Sequence, residues 1–439
     1  MTMPAPIVAI IGRPNVGKST LFNRLLKKRI AVVDDQPGIT RDRNYALTTW
    51  DGKSFYLVDT GGYVPSSTNE IEKLVKVQAE IAISEADLVV FLVDAKVGAQ
   101  SLDIEIAKQL KKTKKSVVLA ANKVDSPKDE SDVYSLGRLG LGDPIAVSAL
   151  NGTNAGDLLD KITSCLPDDA APEEKRESIK VAVIGRPNVG KSSFVNSLLG
   201  KEKLIVSDKP GTTRDAIDTD VGVEGQPFTL IDTAGLRRKS KVTEGLEYYT
   251  TLRTLRSIER CDVALILIEG PAGLVNQDLK ILSQVNDLRK GMVLAVNKWD
   301  LVEKDDKTAD IYAKQLRKEA PMLRFVPLIY ISAKTGQRVR AAMEIVSAVH
   351  AERQKRIDTS ELNAKLEKDI KARPPASVQG KYIKIYYATQ TGIQPPTFVF
   401  FCNYPELLQK PYLRYLENRI REHFGFLGVP IRLKVKKRD

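Results

Sequence analysis

The sequence predicts an α/β fold: two doubly wound, mostly parallel sheets followed by a small α+β module. Three observations predict it. One long segment occurs twice, short apolar runs alternate with amphipathic stretches inside each copy, and the C-terminal end follows a different order of elements. The 439 residues divide into 1–166, an acidic flexible linker at 167–179, then 180–354 and 355–439.

Ile7–Asp42 matches Lys180–Asp215 at a fixed offset of 173, without a gap, with 22 identities in 36 positions. GRPNVGKS stands at Gly12–Ser19 and Gly185–Ser192; PGITRD at Pro37–Asp42 answers PGTTRD at Pro210–Asp215. DTGG (Asp59–Gly62) answers DTAG (Asp232–Gly235), and NKVD (Asn122–Asp125) answers NKWD (Asn297–Asp300) with the offset grown by two. A period this long marks a duplicated domain, since solenoid repeats run about 20–50 residues. Between the copies, PDDAAPEEKRES has prolines, acids and almost no apolar residue, which reads as a linker.

In the first copy Ile7–Ile11 is a strand entering a glycine loop, and Ser19–Lys28 has helical spacing. Phe55–Val58, Leu88–Val93 and Val117–Ala121 are of strand length, with amphipathic Glu70–Ser84 and Asp103–Lys112 between them. Phe228–Ile231, Val263–Ile268 and Met292–Val296 repeat the strands in the second copy. The C-terminal module reads Ser360–Ala372 as helix, with Ser360 as N-cap and Pro374-Pro375 as stop. Lys381–Thr389 and Thr397–Asn403 are strands joined by a Gly/Pro turn, Pro405–Phe424 a helix and Val429–Lys436 an alternating strand.

Composition excludes several classes. The longest apolar runs fall far short of the ~20 residues of a membrane span, and the N-terminus reads as no secretory signal. Three scattered cysteines make neither a disulfide framework nor a zinc cluster and point to a reducing cytosol. The two isolated histidines, His350 and His423, read as surface or packing residues rather than as ligands or catalytic groups. The net charge of +13 divides as +1 over 1–166, −3 over 167–179, +6 over 180–354 and +9 over 355–439, which points the last module at a polyanion.

G-x-x-x-x-G-K-[ST] after a strand and before a helix lets backbone N–H groups converge on phosphates at a helix N-terminus. The first loop is Gly12, Arg13, Pro14, Asn15, Val16, Gly17, Lys18 and Ser19; the second is Gly185, Arg186, Pro187, Asn188, Val189, Gly190, Lys191 and Ser192. Lys18 and Lys191 reach the β- and γ-phosphates; Ser19 and Ser192 take Mg²⁺. Asp59 and Asp232 end apolar strands, where an aspartate holds magnesium through water. Thr60, Gly61 and Gly62, and Thr233, Ala234 and Gly235, complete the motif, whose last glycine presents an N–H to the γ-phosphate. Thr40 and Thr213 complete the magnesium shell in loops that are candidate switches.

Asn122, Lys123, Val124 and Asp125, and Asn297, Lys298, Trp299 and Asp300, end later strands at the edge where such sheets bind ligands. A carboxylate there accepts from N1–H and the exocyclic amine of guanine, donors that adenine lacks, so the nucleotide is GTP or GDP. Ser148-Ala149 and Ser332-Ala333 support the base; Lys334 follows in the second copy and Leu150 in the first, so the first base pocket is expected to be looser. Directly after the D-x-x-G glycine stand Tyr63 and Leu236, neither of which orients water as a glutamine does. Asn15 and Asn188 offer carbonyls to a monovalent cation; the alternative is that they only shape the loop.

Tandem GRPNVGKS domains, PG[IT]TRD, DTGG and DTAG, and a basic C-terminal module resemble the Der (EngA) family of bacterial GTPases over almost the whole chain. GLRRKSKV (Gly235–Val242) also resembles that family's second switch, where the first copy has GYVPSSTN. The resemblance implies GTP hydrolysis, a cytoplasmic role in maturing the large ribosomal subunit, and K⁺ stimulation through the P-loop asparagines. The order α-β-β-α-β resembles the family's KH-like domain. Its G-x-x-G string, Gly425–Gly428, lies between the last helix and last strand and reads as a helix stop rather than an RNA clamp. Contact with rRNA is expected through Lys434, Lys436, Lys437 and Arg438, by phosphate attraction. The expected protein is a monomer whose GTP state controls binding to a ribosomal precursor; the alternative is a GTP-gated RNA-binding scaffold with incidental turnover.

Overall fold

The computed structural model describes residues 5–27, 45–60, 80, 83–113, 115–126, 129, 133–166, 178–201, 218–233, 247–303, 305, 307–378 and 380–438. Thr40, Gly61, Gly62, Tyr63, Thr213, Ala234, Gly235, Leu236 and almost all of the 167–179 linker lie outside the described residues. The chain forms two compact units.

In the first unit, β1 (Ile7–Ile11), α1 (Lys18–Lys27), β2 (Tyr45–Trp50) and β3 (Lys53–Asp59) are followed by β4 (Leu88–Asp94) and α2 (Ser101–Lys111). Then come β5 (Ser116–Asn122), β6 (Ile145–Ala146) and α3 (Ala155–Cys165). The sheet runs β2-β3-β1-β4-β5-β6, parallel except for the β2/β3 pair. Every residue of β1 and β4 is buried, as expected of parallel strands covered on both faces. Leu21 and Leu25 of α1 and Leu158 and Ile162 of α3 pack on Val8, Ile10, Leu57 and Val90.

In the second unit, β7 (Ile179–Ile184), α4 (Lys191–Lys201), β8 (Thr219–Val223) and β9 (Gln226–Ile231) repeat the start. After α5 (Glu247–Arg260), whose residues up to Arg256 group with the first unit, the second unit continues through β10 (Val263–Glu269), α6 (Asn276–Asp287), β11 (Gly291–Asn297), α7 (Thr308–Glu319), β12 (Leu328–Tyr330) and α8 (Val339–Gln354). The strand order β8-β9-β7-β10-β11-β12 reproduces the first sheet, again with one antiparallel pair at the β8/β9 edge. In both sheets the first strand has its sequence successors on opposite sides, so the glycine loop leaves at a topological switch point.

The C-terminal module is α9 (Thr359–Ala372), β13 (Ile385–Ile393), β14 (Pro396–Cys402), α10 (Lys410–Phe424) and β15 (Arg432–Lys437). β13 and β14 are antiparallel, β14 and β15 parallel. Its core is continuous with that of the second sheet: Phe398, Phe400, Phe424 and Phe426 share one cluster with Val181, Val293, Val346 and Val349.

Four sequence expectations are corrected here. Asp358, not Ser360, caps α9, because its extended backbone lets the carboxylate accept from the Ser360 and Glu361 amides at 2.8 and 3.3 Å. The first strand of the module starts at Ile385; Lys381 is instead held in an isolated bridge with Val378. Pro405–Phe424 divides into a short 3₁₀ turn, Pro405–Leu407, and α10, which begins at Lys410 with Pro411 in its first turn. The last strand begins at Arg432, since Val429 and Ile431 are buried in the core shared with the second sheet.

Gly425 ends α10 with φ +87°, as expected of a stop. The loop it opens docks against the second sheet. Gly428 accepts from the Met292 amide at 2.7 Å and donates to the Phe325 carbonyl at 2.5 Å, while Glu352 accepts from the Phe426 amide at 2.6 Å. A Cβ on Gly428 would stand 2.6 Å from Val349 and 2.7 Å from the Met292 carbonyl.

Candidate functional site

Both glycine loops are forced by close packing. Gly12 has φ +156°, and a Cβ there would lie 2.3 Å from the Leu92 carbonyl of β4. Gly185 meets the Leu267 carbonyl of β10 the same way, at 2.4 Å. A Cβ on Gly17 or Gly190 would strike the side-chain nitrogen of Asn122 or Asn297, at 2.3 and 2.2 Å. Asn15 and Asn188 both take φ +63°, a left-handed conformation that asparagine tolerates, and both are exposed. Shaping the loop is therefore one thing they do.

Lys18 donates to the carbonyls of Gly12 and Arg13 at 2.9 and 2.8 Å; Lys191 donates to Gly185 and Arg186, both at 2.8 Å. Each ammonium is thereby held across its own loop at the helix N-terminus. Burial lowers the Lys18 pKa, against the raising effect of Asp59, and pushes Lys191 down to about 8. Ser19 and Ser192 are exposed beside them. Asp59, 2% exposed, ends β3, and Asp232 follows β9 with φ +59°. Thr60 donates to Ile10 at 2.8 Å, and Thr233 pairs with Thr219 at 2.7 Å. The Ser19 and Ser192 hydroxyls and the Asp59 and Asp232 carboxylates are hard oxygen donors, the type that suits Mg²⁺ sharing its shell with phosphates and water.

Asn122 and Asn297 act as ties between loops. The Asn122 amide donates to Val16 at 2.7 Å and its carbonyl accepts from the Ala149 amide at 2.9 Å; Asn297 bridges Val189 and Ala333 at the same distances. Glycine loop and base loop are thus joined through one buried side chain in each copy. Lys123 and Lys298 are left-handed, at φ +72° and +57°, and bind Asp94 at 2.6 Å and Glu269 at 2.8 Å. Val124 and Trp299 are buried, and Trp299 packs on Tyr330 and Tyr312 at ring separations of 4.2 and 5.3 Å.

Asp125 and Asp300, read as base-recognising acids, are both exposed beyond the ends of β5 and β11, Asp300 within the 3₁₀ turn Trp299–Leu301. Asp125 accepts from Ser148 at 2.7 Å and pairs with Lys96 at 2.8 Å, and these two partners hold its carboxyl below the usual range. Position 96 corresponds to Pro271 in the second copy. Ser148 and Ser332 are buried, while Leu150 and Lys334 are exposed. Arg24 of α1 donates to the Ala149 and Leu150 carbonyls, so the first base loop has a tether that Ser197 at the matching position cannot supply.

Sequence reasoning missed the acids behind the loops. Asp103, fully buried in the first turn of α2, pairs with Arg13 at 2.6 Å and accepts from the Gln100 amide at 3.0 Å. Asp278, fully buried in α6, stands 3.7 Å from Arg186, which also binds Glu269 at 2.8 Å. Burial raises both aspartates despite the neighbouring arginines. The signal was available: Asp103 and Asp278 match at the same offset, 175, as Asn122 and Asn297.

Residues 7–123 and 180–298 match the family described as "50S ribosome-binding GTPase", and 356–436 match "KH-domain-like of EngA bacterial GTPase enzymes, C-terminal". The chain is 52% identical to GTPase Der of Chloroherpeton thalassium over 436 residues, covering 99% of this chain and 100% of that protein. It is 52% identical to GTPase Der of Caldanaerobacter subterraneus over 437 residues, covering 99% of each. This chain belongs to the GTPase Der family. It is accordingly a GTPase, with tandem GTPase domains and a KH-like module. Among solved structures, Era of Aquifex aeolicus bound to GDP·AlF4⁻ is 22% identical, covering 60% of this chain and 93% of that one, at a TM-score of 0.30. Among the described residues, no helix is long and apolar enough to cross a membrane.

Proposed function

We propose that this Der-family GTPase acts in the cytoplasm in maturing the large ribosomal subunit, its GTP state controlling association with the precursor particle. The observation that carries the reading is the doubled site. In each copy a glycine loop holds its lysine at a switch point and is tied by one buried asparagine to the loop at Ser148-Ala149 or Ser332-Ala333. The family description "50S ribosome-binding GTPase" and the +9 C-terminal module support a ribosomal partner.

In this reading the two loops, Gly12–Ser19 and Gly185–Ser192, bind GTP phosphates, and Asp125 and Asp300 read guanine. Ser19 with Asp59, and Ser192 with Asp232, hold Mg²⁺, which when bound offsets charge on the β- and γ-phosphates. Thr40 and Thr213 sense the γ-phosphate. Asn15 and Asn188 place a carbonyl for K⁺, since Tyr63 and Leu236 cannot orient water. Replacing sodium by potassium at constant ionic strength is expected to speed hydrolysis, with the difference lost in Asn15→Ala and Asn188→Ala at their own sites. The boundaries 1–166, 180–354 and 355–439 and a monomeric state belong to the same proposal.

Co-sedimentation with isolated large subunits tests it. Binding is expected to differ between GDP and a non-hydrolysable GTP analogue, and a variant that binds but cannot hydrolyse GTP is expected to stay on the particle. Equal binding in both nucleotide states would favour a scaffold with incidental turnover.

A further inference from the structure

We infer that the outer face of the β13-β14-β15 sheet is a stacking platform for single-stranded RNA, with an aromatic patch beside a ladder of cations. This rests on the RNA reading above and moves it from charge alone to a defined face and a defined form of RNA.

The inner face of the sheet is fixed by its core: Ala388, Phe398, Phe400 and Cys402 are at most 2% exposed. The ladder then assigns the outer face. Tyr387 pairs with Phe401, and Phe401 with Lys436; Val399 pairs with Lys434 and Thr397 with Arg432. Cross-strand partners share a face, so Tyr387, Phe401 and Lys436 form one row and Lys434 and Arg432 extend it along β15. Positions two apart on a strand are spaced about 6.6 Å, which makes β15 a regular line of positive charge.

The aromatic patch is made by an irregularity. The register shifts between Ile385 and Tyr387, leaving an extra residue in β13, and such a bulge re-aims side chains. Consecutive residues Tyr386 and Tyr387 are consequently both 40% exposed. Tyr387 stacks on Phe401 with centroids 4.5 Å apart and planes 14° from parallel, a rigid surface on which a base can continue the stack. Tyr386 lies under two cations, Lys384 at 5.6 Å and Arg438 at 4.8 Å. A surface with charge alone needs no exposed, stacked aromatics; every base has a face that such rings accept. The Gly425–Gly428 loop is meanwhile engaged with Met292 and Phe325.

The competing outcome is phosphate attraction without stacking, and the form of the RNA separates the two. A duplex carries the higher charge density but has its bases paired and stacked, so attraction alone favours the duplex and stacking favours the single strand. The test is fluorescence anisotropy of the full chain with a labelled single-stranded RNA of about 12 nucleotides, alone or annealed to its complement. The single strand is expected to bind more tightly. Tyr387→Ala is expected to weaken it by about tenfold while leaving duplex binding in place, which also reports that the variant is folded; Tyr387→Phe retains the affinity. Lys434→Gln with Lys436→Gln is expected to lower the salt slope by about 1.4, whereas Tyr387→Ala leaves the slope unchanged.

Duplex binding as tight as single-strand binding, with no effect of Tyr387→Ala, would overturn the platform and leave phosphate attraction. Loss of particle binding with the oligonucleotide pattern intact would overturn the ribosomal reading and leave the platform. Binding of neither form would remove both.

Discussion

At the scale of single residues, the two copies differ at the aspartate proposed to read the base. Lys96 and Ser148 each bind one oxygen of Asp125, so a guanine bound there as proposed competes with the lysine for that carboxylate. Lys96→Ala is expected to tighten GDP at the first site by several-fold, an exposed pair being worth at most about 1 kcal/mol. Asp125→Asn or Asp300→Asn is expected to weaken GTP at its own site by more than about tenfold and to favour xanthosine triphosphate. Titration of fluorescent nucleotide into single-site variants measures both; unchanged affinity in Asp125→Asn would remove the guanine argument. Lys191 gives a pH test. Burial pushes Lys191 down to about 8, so between about pH 8 and 10.5 the folded chain holds less of this proton than the unfolded chain. Stability from this group therefore rises with pH through that window. Phosphates restore the charge, so nucleotide binding at about pH 8.5 is expected to take up a proton that it does not take up at about pH 6.5. Calorimetry in buffers of different ionisation enthalpy reads this directly. Lys18 and Lys191 were legible because their motif carries its mechanism in its spacing. Lys96 was not, because an ion pair between separate elements leaves no local pattern, and Asp103 and Asp278 show only as a match between the two copies.

At the scale of elements, the strands ending in Asp59, Asn122 and Asn297 were legible because parallel strands buried on both faces read as unbroken apolar runs. The edge strands Tyr45–Trp50 and Thr219–Val223 were missed. They are half-buried, mix threonine with apolar residues, and are defined by antiparallel pairing with β3 and β9. The displaced start of the last strand has a packing cause: Val429–Ile431 carries a strand-like pattern, yet its burial serves the neighbouring sheet. That docking makes a prediction. Gly428 holds φ +71° with no room for a side chain, so Gly428→Ala bears about 1–2 kcal/mol from the left-handed backbone and a clash in addition. The variant is expected to unfold at lower denaturant and to expose the amides of Met292 and Gly428 to hydrogen exchange. Exchange at Met292 unchanged from the parent would mean that the loop does not hold the two sheets together.

At the scale of the whole molecule, charge is the property that distinguishes the C-terminal region from the rest. Residues 1–166 are nearly neutral at +1, and the last 85 carry +9, so association with a polyanion is governed from one end of the chain. Each lysine or arginine that meets a phosphate releases counterions, and the logarithm of affinity then falls linearly with that of salt concentration. If Lys434, Lys436, Lys437 and Arg438 all make such contacts, converting the four to glutamine lowers the slope for large-subunit binding by about 3–4. The size of the change counts contacts, which affinity at one salt concentration does not. The same substitutions are expected to leave GTP hydrolysis by the free protein intact, because they stand on a sheet separate from both glycine loops. A variant that loses affinity with the slope unchanged would place the phosphate contacts elsewhere on the chain, with the +6 region between 180 and 354 next to be neutralised.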